Sequence, residues 1–174
     1  MGAYGHDEIE RAFRRYWHTG AVCENWDAWV DLFSEDALYV DHVLGTIRGR
    51  EAIRALIRSI VTQFGERYAV YEWHVVDDES SRVVFYMQNR RDHPSGIGTI
   101  DFPEISILQY AGDGRWSHEE DFWALPAAQA ALREYAEACE RFDPNHQKKQ
   151  TRLNWGTGPE WTRGACSYAE RPSA

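Results

Sequence analysis

The chain is poor in sulfur and in positive charge. Its 174 residues hold only three cysteines, Cys23, Cys139 and Cys166, far apart and odd in number, which argues against a disulfide framework and against a CxxC metal site. The simplest address for such a chain is a reducing cytoplasm. Lysine occurs only at Lys148 and Lys149, and the formal net charge is −9. That sign repels phosphate backbones, and no basic stripe with interleaved aromatics is present, so nucleic acid is not an expected partner. No apolar run approaches the roughly 20 residues that a membrane-spanning helix needs, so no membrane partner is expected either. The opening MGAYGHDEIERAF has no basic stretch followed by an apolar one, and no secretory signal is expected. His42, His74, His93 and His118 fit no HExxH or comparable ligand spacing, so neither a metal nor another cofactor is expected.

What is present is the composition of a globular protein, 43% hydrophobic and 14% aromatic. The length fits one domain that buries about 70% of the surface of its unfolded chain, enough for a core with a pocket. Ile9, Ala12, Phe13, Tyr16 and Trp17 recur at helical spacing within His6 to Val22, and a second short pattern, Trp26, Trp29, Val30 and Phe33, follows Asn25 as an N-cap. A strand is expected over Ala37–Val43. The strongest stripe comes next, Ile53, Leu56, Ile57, Ile60, Val61 and Phe64, a third helix closed by Gly65. Tyr68–Val76, Arg82–Arg90, Thr99–Tyr110 and Arg115–Trp123 read as strands of an antiparallel meander, because short turn clusters separate them. Ala128, Ala131, Leu132, Tyr135, Cys139 and Phe142 give a last amphipathic helix after Pro126. The expected order is ααβαββββα over residues 1–145. Residues 146–174 form a polar tail that nevertheless carries Trp155 and Trp161; two readings stand, a chain folding back over the pocket mouth or onto a partner subunit, and a floppy tail.

This order, together with the stretch LFSEDALYVDHVLGTIRGREAIRALI from Leu32 to Ile57, resembles the nuclear transport factor 2-like superfamily, in particular its SnoaL-like and ketosteroid isomerase-like branches. The resemblance covers Asp7 to about Phe142. It implies an α+β fold, a curved antiparallel sheet with helices on its concave face forming a conical pocket, of the cystatin-like roll type. It also implies a small hydrophobic ligand and homodimerisation. Members include isomerases, dehydratases, polyketide cyclases, epoxide hydrolases and pure binding proteins, so the fold leaves the chemistry open. The expected function is cofactor-free acid/base lyase or isomerase chemistry next to a carbonyl or hydroxyl, with a non-catalytic binding or interaction protein as the alternative.

The stretch DALYVDHVLG is similar to the isomerase segment whose aspartate is the general base, which implies that role for Asp41; burial would raise its pKa and improve it as a base. The same residue also reads as a cap of the turn into Gly45. Tyr16 falls where the isomerases carry an oxyanion-stabilising tyrosine, and also on the apolar stripe of its helix. Asp121, in WSHEEDFW, falls where limonene epoxide hydrolase-like members carry a catalytic acid, although their Arg-x-Asp motif is absent from MQNRRD. Alternation puts Glu119, Asp121 and Trp123 on one face. The place of the isomerases' second oxyanion donor is taken by Ser106, with Glu104 next on the same face. Trp29, Trp73, His74, Asn89, Glu104, Ser106 and Trp123 are the expected substrate-contacting residues, His74 by similarity to scytalone dehydratase-like members.

Overall fold

The computed structural model describes residues 2–149, 151–164 and Cys166. Helix α1 (His6–Trp17) buries Ile9, Ala12, Phe13, Tyr16 and Trp17 on one stripe, with Asp7 and Glu8 in its first turn and Arg14 and Arg15 in its last, which complements the helix dipole. The helical path continues through a π-turn, His18–Val22, before α2 (Trp26–Val30), whose first turn is capped by Asn25 accepting from the Ala28 amide at 3.2 Å. Gly20 is the hinge of this hairpin: a Cβ there would lie 2.4 Å from the Trp29 ring, so any larger residue would push Trp29 out of place. Helix α3 (Arg50–Gln63) follows a glycine, Gly49, held at φ 92°, a value that side-chain-bearing residues rarely adopt.

Six strands form one curved sheet in the order β2-β1-β6-β5-β4-β3: β1 (Phe33–Asp41), β2 (Gly45–Arg48), β3 (Tyr68–Asp77), β4 (Arg82–Asp92), β5 (Thr99–Gly112) and β6 (Arg115–Trp123). The meander of β3 to β6 is antiparallel as the turn clusters require, but β1 joins β6 in parallel, so the sheet is mixed. The short strand β2 is an addition to the expected order. Its four residues, GTIR, carry no alternating burial and pair only with β1, so they leave no periodic signal. The fold is an α+β roll.

Helices α1, α2 and α3 cover the concave face over a core that includes Phe13, Trp17, Phe33, Ile53, Phe85 and Trp116. Helix α4 (Leu125–Phe142) covers the far end of the same face through Ala131, Tyr135, Ala138 and Cys139 against Ile100 and Phe102. Among the described residues no helix is long and apolar enough to cross a membrane.

The segment after α4 returns over the three-helix side. Asn154 donates to Asp92 at 2.7 Å, Trp155 packs on Tyr68, and Trp161 meets Phe13, Tyr71 and His74. Cys166 is thereby carried to Cys23, and the two form a disulfide across 143 residues, against the reading that cysteine number and spacing argue against a disulfide framework; Cys139 stays free. Composition cannot reveal a pair brought together only by the return of the tail. Such a bond acts mainly by restricting the unfolded chain, so Cys23→Ser is expected to lower unfolding free energy by about 3 to 5 kcal/mol in a denaturant melt under oxidising conditions. Reduction of the parent should reproduce the loss; a melt indifferent to both would disprove it.

Candidate functional site

A cavity of about 180 Å³ opens between the sheet and helices α1 to α3. Its walls are Trp17 and Tyr16 of α1, Trp26 and Trp29 of α2, Ile57, Ile60 and Val61 of α3, and Phe85 and Met87 of β4. The α3 stripe is therefore only partly sealed: Ile57 is buried while Ile60 and Val61 keep surface open to the cavity. At the mouth Arg152 of the returning tail pairs with Glu24 at 2.7 Å and donates to the Gly65 carbonyl at 2.5 Å.

The polar end is built by strand register. Tyr39 lies opposite Glu119 and Asp41 opposite Asp121 across the parallel β1–β6 junction, while Asp121 faces Ser106 and Glu104 faces Met87 on the neighbouring strands. Residues in register share a face, so adjacent rows on that face bring Glu119, Asp121 and Glu104 together at the sheet's centre. Like charges this close are costly, and each acid meets that cost differently. Tyr16 donates its hydroxyl to Glu119 Oε1 at 2.6 Å. Tyr39 donates to Asp121 Oδ2, and Ser106 to Asp121 Oδ1 at 2.6 Å. Asn89 donates to Glu104 Oε2 at 2.7 Å.

Burial raises the pKa of all three central acids. Glu104 is pushed up to about 8 by burial and then by the charge of Asp121, against the hydrogen bond from Asn89. Asp121 rises to about 6, because burial outweighs the donors Ser106 and Tyr39. Glu119 is raised well above the usual carboxylate range by burial and then by Asp121, more than the Tyr16 hydrogen bond offsets. Burial and the same carboxylates raise Tyr16 and Tyr39 too, which keeps both as donors. Burial thus biases Glu119 toward its protonated form; the carboxyl lines the cavity, and its buried Oε2 has no hydrogen-bond partner among the described residues.

Of the residues expected from sequence, Tyr16, Trp29, Asn89 and Glu104 line the cavity. Asp121 and Ser106 stand directly behind, 2% and 0% exposed and bonded to each other. Asp41 is placed otherwise. Its Oδ1 accepts from the amides of Val43 and Leu44 at 2.7 and 2.8 Å, and its Oδ2 from the Trp123 indole at 3.0 Å. All of this holds the carboxylate in the β1–β2 turn, the capping role, and it does not line the cavity. Trp123 is spent on that contact and on Phe102. A bulge between Tyr71 and Trp73 decides the last two: Trp73 turns to the convex face, 45% exposed and stacked on Tyr86, while His74 pairs with Glu10 at 2.6 Å beneath α1. Neither touches the cavity, and alternation alone cannot locate such a bulge. Glu119, Tyr39 and Arg67 line the cavity without having been singled out. Glu119 was traceable, since it shares the face of Asp121; Arg67 sits in the loop before β3, where no period applies. For a metal, the described residues bring His18, Cys23 and Cys166 within 4.8 Å, but two of the three are spent in the disulfide.

The SnoaL-like domain family matches residues 9–119, the span that supplies the helical walls and most of the acidic row. The chain belongs to this family. No curated protein matches the sequence. This SnoaL-like domain is similar to a hypothetical protein of Catenulispora acidiphila with a ketosteroid isomerase-like fold, in complex with trimethylamine, at 21% identity and TM-score 0.58 over 75% of this chain and 95% of that one. A Jannaschia protein described as a putative SnoaL-like polyketide cyclase aligns at 20% identity and TM-score 0.57, over 72% of this chain and 92% of its own. TerC, co-crystallised with polyporic acid, aligns at 16% identity and TM-score 0.56 over 75% and 98%. Identities this low carry the fold and leave the chemistry to the site of this SnoaL-like domain.

Proposed function

We propose that this SnoaL-like domain is a cofactor-free acid–base enzyme, a lyase or isomerase acting next to a carbonyl or hydroxyl of a small hydrophobic molecule. The observation that carries the reading is Glu119, a buried carboxyl fixed by Tyr16 at 2.6 Å on the floor of an aromatic cavity, its pKa raised by burial and its second oxygen unused. Glu119 donates its proton to the substrate oxygen, with Tyr16 holding Oε1. Glu104, whose pKa of about 8 makes it a strong base near neutrality once ionised, removes a proton from the adjacent carbon. The products of that step are an enol, protonated Glu104 and ionised Glu119. Delivery of the Glu104 proton to a different carbon, with the enol proton returning to Glu119, completes an isomerisation; where the protonated group is a hydroxyl, its departure as water completes a dehydration. The similarity to a protein called a putative polyketide cyclase agrees with a carbonyl substrate. The test is exchange of the carbonyl-adjacent hydrogens of cyclohexanone in deuterated buffer, followed by NMR. Catalysed exchange that depends on Glu119 supports the reading, and exchange no faster than buffer rejects it.

We also infer that the protein works as a homodimer joined through the convex sheet face. Trp73, Val75, Ile105 and Phe122 are 45, 58, 38 and 41% exposed, and all point away from the helices. A soluble monomer seldom leaves such a set of large apolar side chains on one face. Light scattering should give twice the chain mass, and Ile105→Glu should return it to one; a parent that is monomeric over a wide concentration range would refute this.

A further inference from the structure

Arg67 stands apart from every other arginine withdrawn from solvent. Arg54, Arg90, Arg91 and Arg152 each meet a carboxylate at 2.6 to 2.7 Å, and Arg50 meets Glu35 at 3.8 Å. Arg67 lines the cavity and has no side-chain hydrogen bond or ion pair among the described residues; its one described contact of note is the Phe102 ring, 6.0 Å from the guanidinium carbon. Arg67 is half-buried and keeps its guanidinium open to the cavity, so a fork of donors with no fixed bonding partner among the described residues is available there to a bound anion. The neighbouring acids bond elsewhere: Glu104 accepts from Asn89, Glu119 from Tyr16 and Asp121 from Ser106 and Tyr39, while Glu66 is committed to Arg91 at 2.7 Å and Glu24 to Arg152; Glu104 attracts the guanidinium without bonding it.

The rest of the cavity defines what reaches this guanidinium. At about 180 Å³ it is slightly larger than the 150 Å³ engineered cavity that takes up benzene, so it admits one substituted ring. Trp17, Trp29, Ile57 and Phe85 offer that ring apolar and aromatic walls. A planar fork of donors matches two oxygens of a carboxylate, or an ionised enol beside a carbonyl.

We propose that Arg67 is the anion-binding residue of the cavity and that the ligand is a single-ring molecule bearing a carboxylate or an equally acidic oxygen. This names the substrate class of the acid–base reading above and rests on the same cavity being the ligand site. The ring lies among the tryptophans, its anionic oxygens face Arg67, and its reacting carbonyl or hydroxyl faces Glu119 and Glu104.

The test is titration of the full chain with cyclohexanecarboxylate and with its uncharged carboxamide, followed by tryptophan fluorescence. The parent should bind the acid at least about tenfold more tightly than the amide, as a charge-assisted pair requires. Arg67→Met should erase that preference while leaving amide affinity unchanged, and Arg67→Lys should keep part of it. Arg67→Met should melt close to the parent, because it removes no side-chain hydrogen bond or ion pair among the described residues; should it fail to fold, Arg67→Gln serves for the same comparison. Equal affinity for acid and amide, binding of neither, or an undiminished preference in the Arg67 variant would overturn the proposal. Binding and exchange fail separately. A preference for the acid without catalysed exchange of cyclohexanone leaves the anion site standing and removes only the acid–base reading.

Discussion

Glu119→Gln is expected to lower turnover at least about a hundredfold, the smaller end of what a positioned proton donor contributes. Glutamine keeps the length of the side chain and still accepts the Tyr16 hydroxyl, now 2.6 Å from Glu119 Oε1. It cannot pass a proton. Ligand affinity, set by the aromatic walls and Arg67, should change little, so the loss should fall on kcat rather than KM. A merely structural Glu119 gives the opposite pattern: the amide satisfies the same hydrogen bond, the buried acid disappears, and turnover stays near that of the parent. Steady-state kinetics on one verified substrate separate the two.

Glu104→Gln is expected to change the pH dependence of stability strongly. In the folded chain Glu104 keeps its proton up to about pH 8, whereas in the unfolded chain it loses it near 4.5. Between those values the native state binds more protons than the unfolded one, so stability falls as pH rises. The contribution is complete below about pH 4.5 and is lost by about pH 8, a loss of several kcal/mol for a fully buried carboxyl. Glutamine does not titrate and still meets Asn89 after an amide flip, so the variant should melt several degrees above the parent on the alkaline side and close to it near pH 4.5. Thermal melts across that range check it, and parallel curves for parent and variant would contradict it.

Much of this architecture is legible in the sequence because periodicity reports burial. The α1 stripe through Ile9, Phe13, Tyr16 and Trp17 and the long alternation of β5 mark their inner faces unambiguously. The same alternation places Glu104, Ser106, Glu119 and Asp121 together on the concave side. What it does not carry is position along that face. Asp41 shares the face and register of Asp121, yet it lies one residue from the β1–β2 turn, where the Val43 and Leu44 amides capture it. The bulge in β3 reverses Trp73 and His74 against simple alternation. Arg67, and the Cys23–Cys166 bond, depend on loops and on the tail's path, where neither helical nor strand period constrains the side chains.

The proposed chemistry requires the cavity to keep a neutral carboxylic acid, Glu119, in contact with its ligand at neutral pH. Infrared difference spectroscopy reads the carbonyl stretch of a protonated carboxyl directly. Such a band is expected in the parent at neutral pH, with a shift when cyclohexanone enters and loss or marked weakening in Glu119→Gln. Fully ionised carboxylates at neutral pH, with no protonated band to shift, would contradict it.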